Sequence, residues 1–172
     1  MLNHVVTYAP EEPVHDDAIE DINKEAFGPG RFTRAAYRIR EGGPHDRNLS
    51  FVAMNGEHVV ASVRLTPILI GTTPAMLLGP LAVRPAWKKQ GIGAALMRTS
   101  MEAARVAGHK LVILVGDEPY YAPFGFRPIS GHQIEMPASV DPARFLACEL
   151  SPRALQNVEG KVFHAAMAGA AE

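Results

Sequence analysis

Two glycines one residue apart, beside a pair of lysines, make the stretch of this sequence best suited to holding an anion: Lys88-Lys89-Gln90-Gly91-Ile92-Gly93. A glycine-rich turn that opens a helix gathers unpaired backbone N–H groups and the positive end of a helix dipole at one point. Gly91 and Gly93 carry no Cβ to hold a ligand away, and Lys88 and Lys89 add positive charge beside them. A pyrophosphate suits such a site. The same residues also describe an ordinary strand-to-helix turn with solvated lysines, so the ligand has to be argued from what surrounds them.

A strand must deliver the chain to this turn and a helix must carry it away. Residues 75–83 form an apolar run broken in its middle by Gly79-Pro80. Proline cannot donate to a sheet ladder and glycine within a strand often marks a bulge, so a local opening in the sheet is predicted there. From Gly91 onward, Ile92, Leu96, Thr99, Ala103 and Val106 recur on one helical face, widened by Met97, Met101 and Ala104. Gly108 is a good stop. Residues 111–115, LVILV, then read as a strand buried on both faces. Strand, crossover helix and strand predict a right-handed parallel β-α-β unit. Beyond it, Asp117-Glu118-Pro119 starts a short helix holding Tyr120 and Tyr121, closed at Gly125.

The remaining elements are read more coarsely. Residues 4–8 are a first strand, and residues 14–27 a first helix opened by Asp16 and Asp17 and patterned by Ile19, Ile22 and Ala26. Thr33 is positioned to cap a second helix running to about Glu41. Residues 49–54 and 58–66 pair around an Asn55-Gly56 hairpin signal, with 67–70 extending the second strand. Two more strands fall at 145–150 and 160–166, and 168–172 reads as a frayed tail. With no repeats and no second core, residues 1–172 are expected to form one α/β domain.

Composition excludes several function classes. The chain has 172 residues, 47% hydrophobic and 20% charged, which is globular rather than disordered. A net charge of −1 gives no electrostatic ground for nucleic acid or an anionic membrane as partner. No apolar run approaches the ~20 residues of a membrane span, and the sequence MLNHVVTYAPEE lacks the regions of a signal peptide. One cysteine, Cys148, cannot close an internal disulfide. A soluble cytoplasmic protein, monomer or homodimer, is expected. The seven histidines show no metal-ligand spacing and Cys148 has no basic neighbour, so neither a metal nor a thiol nucleophile is assigned.

Two ligand classes compete for the glycine turn. A dinucleotide site requires G-x-G-x-x-G directly after a strand and an acid about 20 residues on, and Asp117 stands near that position. However, Leu96 occupies the third glycine position, and residues 84–89 separate the strand from the glycines. The other class fits better. Lys88-Lys89-Gln90-Gly91-Ile92-Gly93 resembles the pyrophosphate loop Q/R-x-x-G-x-G/A of the GCN5-related N-acetyltransferase (GNAT) superfamily, with Lys88 in place of Gln or Arg. Tyr121-Ala122-Pro123-Phe124-Gly125-Phe126 resembles the family's Y-x-x-x-G-F segment. Leu78-Gly79-Pro80-Leu81-Ala82-Val83 and Gly116-Asp117 are similar to its YhbS-like branch. The match covers roughly residues 77–128.

The resemblance implies a mixed, mostly antiparallel twisted sheet flanked by helices, with a splayed parallel strand pair and a bulged central strand. It implies acetyl-CoA, or another acyl-CoA, as cosubstrate and an amine as acceptor, either a small molecule or a protein amino group. Leu81, Ala82 and Val83 would hold the pantetheine arm as a pseudo-strand, and their N–H groups would polarise the thioester carbonyl. Lys88, Lys89, Gln90, Gly91, Ile92, Gly93 and Ala94 would hold the pyrophosphate. Tyr121 would be the general acid, since a phenol of pKa near ~10 is protonated at neutral pH and can supply the departing thiolate. Tyr120, Phe124 and Phe126 are read as packing.

Many members carry a glutamate on the bulged strand, whereas residues 75–83 contain no acid. Water, or a carboxylate such as Glu25, Asp117 or Glu118, could deprotonate the amine; each carboxylate is better explained as a solvated surface group, and no base is assigned. The acids of the first helix, Asp16, Asp17, Glu20, Asp21 and Glu25, are read as a polar face rather than as a lure for a cationic amine. Direct acetyl transfer to an amine in a ternary complex is the expected function. A non-catalytic coenzyme A module and a Rossmann-like NAD or S-adenosylmethionine enzyme are the alternatives.

Overall fold

Alternating and continuous apolar runs, punctuated by glycine turns, order the sheet. The computed structural model describes residues 5–130 and 133–170. Strand β1 (Val6–Pro10) leads through a 3-10 turn, Pro13–His15, into helix α1 (Asp16–Phe27). Within α1, Ile19, Ile22 and Asn23 are the buried residues. The position-4 end of the expected first strand lies outside the described residues. Helix α2 (Ala35–Arg40) has Arg34 rather than Thr33 at its N-cap. Thr33 instead ends a 3-10 turn, where its hydroxyl donates to the Gly30 carbonyl at 2.9 Å. Thr33 thus lies one residue before the N-cap, and no side chain caps α2.

Strand β2 (Phe51–Asn55) and strand β3 (His58–Ile70) form the hairpin predicted around Asn55-Gly56. Strand β4 (Thr73–Val83) returns antiparallel to β3, helix α3 (Ile92–Val106) crosses over, and strand β5 (Leu111–Val115) pairs parallel with β4. Helix α4 (Glu118–Tyr121) and a 3-10 turn closed at Gly125 lead to strand β6 (Arg127–Pro128). Strand β7 (Ile134–Glu135), strand β8 (Phe145–Glu149) and strand β9 (Gly160–His164) complete the sheet. A 3-10 stretch, Ala165–Ala170, takes the place of much of the expected frayed tail.

The main order is β1-β2-β3-β4-β5-β8-β6, with β9 added to the far end of β3 and β7 to β9. Apart from the β4–β5 pair and the two-residue β7–β9 contact, the ladders are antiparallel. This is the mixed, helix-flanked sheet expected from the sequence. It removes the dinucleotide alternative, which needs a doubly wound parallel sheet.

Two apolar layers cover the sheet. Helix α3 lays Ile92, Leu96, Met97, Met101 and Ala104 against β2, β3 and β4, with Ser100 donating to the Leu49 carbonyl at 2.7 Å. The buried stripe is therefore rotated from the expected one: Val106 is 72% exposed and Ser100 is buried. On the other face, Ile19 and Ile22 of α1 pack with Val52, Val59 and Ala82. Phe126 is fully buried in the core beneath α3, as read from the sequence.

Candidate active site

The ladder between β4 and β5 is short. Met76 pairs with Val112 and Leu77 with Ile113, and no further register joins the two strands. On the β3 side, Val63 faces Leu81 and Leu65 faces Leu78, so Arg64 alone stands opposite Gly79-Pro80. Two residues against one make a bulge, and it falls at the glycine-proline break. A cleft of about 980 Å³ opens where the strands part, with Leu78 to Val83 of β4 on one wall and Leu114 to Gly116 on the other.

At one end of this cleft lies the N-terminus of α3. Gly91 is its N-cap and sits in the left-handed region at φ 79, which favours glycine although a Cβ there would meet nothing. Lys89 is also left-handed, at φ 64. No side chain caps the helix, and its first hydrogen bond runs from the Ala95 N–H to the Gly91 carbonyl at 3.0 Å. The N–H groups of Ile92, Gly93 and Ala94 thus precede the helical ladder, as an anion site requires. Gly93 is needed for a different reason: a Cβ there would lie 2.6 Å from the Tyr120 hydroxyl oxygen.

Leu81, Ala82, Val83, Lys88, Lys89, Gly91, Ile92, Gly93 and Ala94 all line the cleft. Gln90 is exposed and does not, so its side chain is left out of the site. Tyr121 lines the cleft from the β5 side. Its ring packs edge-on against Tyr120 at 4.9 Å and Phe126 at 6.0 Å between centroids. A Cβ on Gly116 would fall 2.4 Å from Tyr121 Cε2, so the ring lies across the end of β5 at that glycine. Burial, followed by Tyr120 and Asp117, pushes the Tyr121 phenol up to about 12. It is held protonated.

Both the sequence and the fold are shared with known proteins. Residues 46–128 match the acetyltransferase (GNAT) domain model. The uncharacterized N-acetyltransferase YjhQ of Escherichia coli K12 is 40% identical over 135 residues, covering 76% of this chain and 75% of that one. This protein belongs to the GNAT acetyltransferase family. Among solved structures, GNAT member YhbS from E. coli in complex with CoA superposes with a TM-score of 0.78 at 22% identity, over 95% of this chain and 92% of that one. A GNAT acetyltransferase from Brucella melitensis in complex with acetyl-CoA gives 0.69 at 27% identity, over 96% and 99%.

This GNAT fold also brings to the cleft residues that the sequence did not single out. Tyr120, read as packing, is 43% exposed, and its hydroxyl lies over Gly93 at the glycine turn instead of filling the core. The wall opposite β5 is cationic: Arg31, Arg34 and Arg40 line it together with Asn23 and Tyr37. None of the α1 acids does. Asp16 is bound by Arg47 and Arg64, and Glu20 by Arg31, which fixes the helix rather than charging the cleft. Of the carboxylates weighed as bases, only Asp117 lines the cleft, and it is paired with Arg144. Among the described residues no group of three His, Cys, Asp or Glu could hold a metal ion, and no helix is long and apolar enough to cross a membrane.

Proposed function

We propose that the chain acts as one catalytic domain that transfers the acetyl group of acetyl-CoA to a primary amine by direct attack in a ternary complex. One observation carries the reading: a single cleft at the parted β4–β5 pair is lined both by the uncapped N-terminus of α3 and by Tyr121. The first is chemistry for a pyrophosphate, the second for a leaving group. Acetyl-CoA presents both, at opposite ends of its pantetheine arm.

In this reading Ile92, Gly93 and Ala94 donate to the pyrophosphate, with Lys88 and Lys89 supplying charge at the mouth. The free edge of β4 from Leu81 to Val83 takes the pantetheine amides as an added strand. Its N–H groups stabilise the negative charge that develops on the thioester oxygen. The amine nitrogen bonds to the carbonyl carbon as the carbon–sulfur bond breaks, and Tyr121 gives its proton to the departing thiolate. The amine enters neutral, having left its extra proton to solvent; once the carbon–nitrogen bond has formed the nitrogen sheds a further proton to solvent, and solvent returns one to the Tyr121 phenolate.

The test is acetyl-CoA binding by calorimetry, followed by thiol release across amines, amino acids and peptides. Acceptor-dependent release supports transfer; saturable binding without release from any amine makes the chain a coenzyme A-binding module instead. Two variants probe the ends of the cleft separately. Lys88→Glu with Lys89→Glu is expected to weaken acetyl-CoA binding by roughly tenfold or more at low salt, with the loss shrinking as salt rises. Gly116→Ala is expected to push the Tyr121 ring out of place and lower kcat by at least about tenfold, because a misplacement of about 1 Å can cost ~10²-fold. Acetyl-CoA affinity should hold, since Gly116 is remote from the phosphate turn in sequence and element.

A further inference from the structure

Arg40 lines the cleft without a carboxylate partner among the described residues. Arg40, at the end of α2, donates from Nε to the Ala36 carbonyl at 3.2 Å, and its Nη1 is buried with no hydrogen-bond partner among the described residues. Its Nη2 and Nη1 lie 3.9 and 4.0 Å from where a Cβ on Gly79 would stand, so the guanidinium faces the bulge itself. The other arginines lining the cleft, and Arg64 at the bulge, are engaged. Arg64 bonds Glu11 and Asp16, Arg31 bonds Glu20, and Arg144 bonds Asp117; Arg34 is exposed over the Phe27 ring, whereas Arg40 is turned inward with the Tyr37 ring centroid 5.9 Å from its guanidinium carbon. Burial, opposed by Tyr37 and reinforced by Arg64, lowers the Arg40 pKa to about 10, which still leaves it charged at neutral pH. Two other residues lining the cleft carry buried polar atoms without a partner among the described residues, Arg31 at Nε and Asn23 at Oδ1.

A buried charge without a counter-ion is unfavourable unless a ligand supplies one. Coenzyme A does not supply it here: its phosphates belong at the α3 end, while its pantetheine arm and thioester are uncharged. We propose that Arg40 binds a carboxylate carried by the acceptor, so that the preferred acceptor is a small primary amine bearing a carboxylate, of the amino-acid class. The inference rests on the acetyltransferase reading. The carboxylate pairs with Nη1 and Nη2 of Arg40, and Asn23 Oδ1 accepts from the acceptor's amine. A simple alkylamine leaves Nη1 of Arg40 buried and unpaired, and an amide offers its carbonyl oxygen but no charge, so both are disfavoured against a carboxylate.

The experiment compares the twenty amino acids, their amides and the corresponding decarboxylated amines in the thiol-release assay with acetyl-CoA. At least one acid is expected to exceed its amide in kcat/KM by about 10²-fold or more. Arg40→Met should abolish that preference by raising KM for the acid, leaving the Kd of acetyl-CoA unchanged, and Arg40→Lys should restore part of it. Amides turned over as well as acids overturn the inference and leave the acetyltransferase reading standing. So does an Arg40→Met variant that loses acetyl-CoA affinity while keeping its acid preference. Absence of release from all three acceptor classes overturns the acetyltransferase reading itself. A titration of wild-type protein saturated with CoA avoids any folding defect in the variants. N-acetylated acids from the same panel should bind more tightly than the matching N-acetyl amides, and equal binding of the two sets overturns the inference.

Discussion

Tyr121→Phe is expected to lower kcat for acetyl transfer by about 10²–10⁴-fold while the Kd for acetyl-CoA stays within about twofold. The substitution keeps the ring and its edge-on contacts with Tyr120 and Phe126 and removes only the oxygen. A loss confined to kcat therefore reports the proton and not the packing. The pH profile sharpens the test. Burial holds the phenol at about 12, so the acid stays loaded across the alkaline range where a free tyrosine near ~10 would begin to empty. In the wild type, kcat should show no alkaline fall through pH 10. The same shift has a stability sign. A folded-state pKa raised above the unfolded value gives a contribution fully present below about pH 10 and lost as pH rises toward 12. Equal kcat in Tyr121→Phe and wild type would remove Tyr121 from the chemistry.

The second large effect lies away from the cleft. Glu11→Ala is expected to destabilise the fold by about 3 kcal/mol or more and to lower Tm by roughly 6–12 °C, read by thermal unfolding at neutral pH. The Glu11 carboxylate is fully buried, accepts from Arg64 Nε at 2.5 Å and Arg47 Nη1 at 3.1 Å, and contacts His45. Removing it takes the buried anion from Arg64 and Arg47, which are left with the half-exposed Asp16, and a hydrogen-bond partner from His45. Burial alone would raise the Glu11 pKa, but the His45 and Arg64 hydrogen bonds outweigh it and the net shift is downward. Asp16 is also lowered, through Arg47. Both carboxylates thus contribute stability that is complete above the ordinary acid range and is lost as pH falls through their depressed values. The wild type should lose stability on that acid limb more steeply than Glu11→Ala.

The strand, turn and helix around Gly91 were legible because backbone chemistry wrote them. Glycine at a left-handed N-cap and a glycine-proline step at a bulge are local demands, visible without knowing the fold. Tyr121 was legible for another reason: its spacing to Gly125-Phe126 resembles a family segment. The opposite wall was not. Arg40 is one of several arginines between positions 31 and 47, and only the packing of α2 over the bulge sets it apart. The Glu11 network joins residues 36 and 53 positions apart, beyond any local pattern. β6 and β7, two residues each, are too short for periodicity to register. The misplaced stripe on α3 has a simpler cause. Ser100 reads as polar, yet its hydroxyl is satisfied by the Leu49 carbonyl and it is buried, while the apolar Val106 of the last turn is exposed.

The brief β4–β5 ladder also bears on the order in which ligands enter. The sheet is hydrogen-bonded as two portions, β1 to β4 with β9 on one side and β5, β8 and β6 on the other, stitched by only two residue pairs. The arginine wall rides on the first portion, since α1 packs on β3 and β4 and α2 on β9. Tyr121 rides on the second, following β5. A pantetheine arm laid along β4 fills the gap between the portions and so sets the separation of acid and acceptor. On the proposed acetyltransferase reading, acetyl-CoA is therefore expected to bind first, with the amine meeting a finished site only after the cosubstrate has splinted the sheet, which product-inhibition patterns would check.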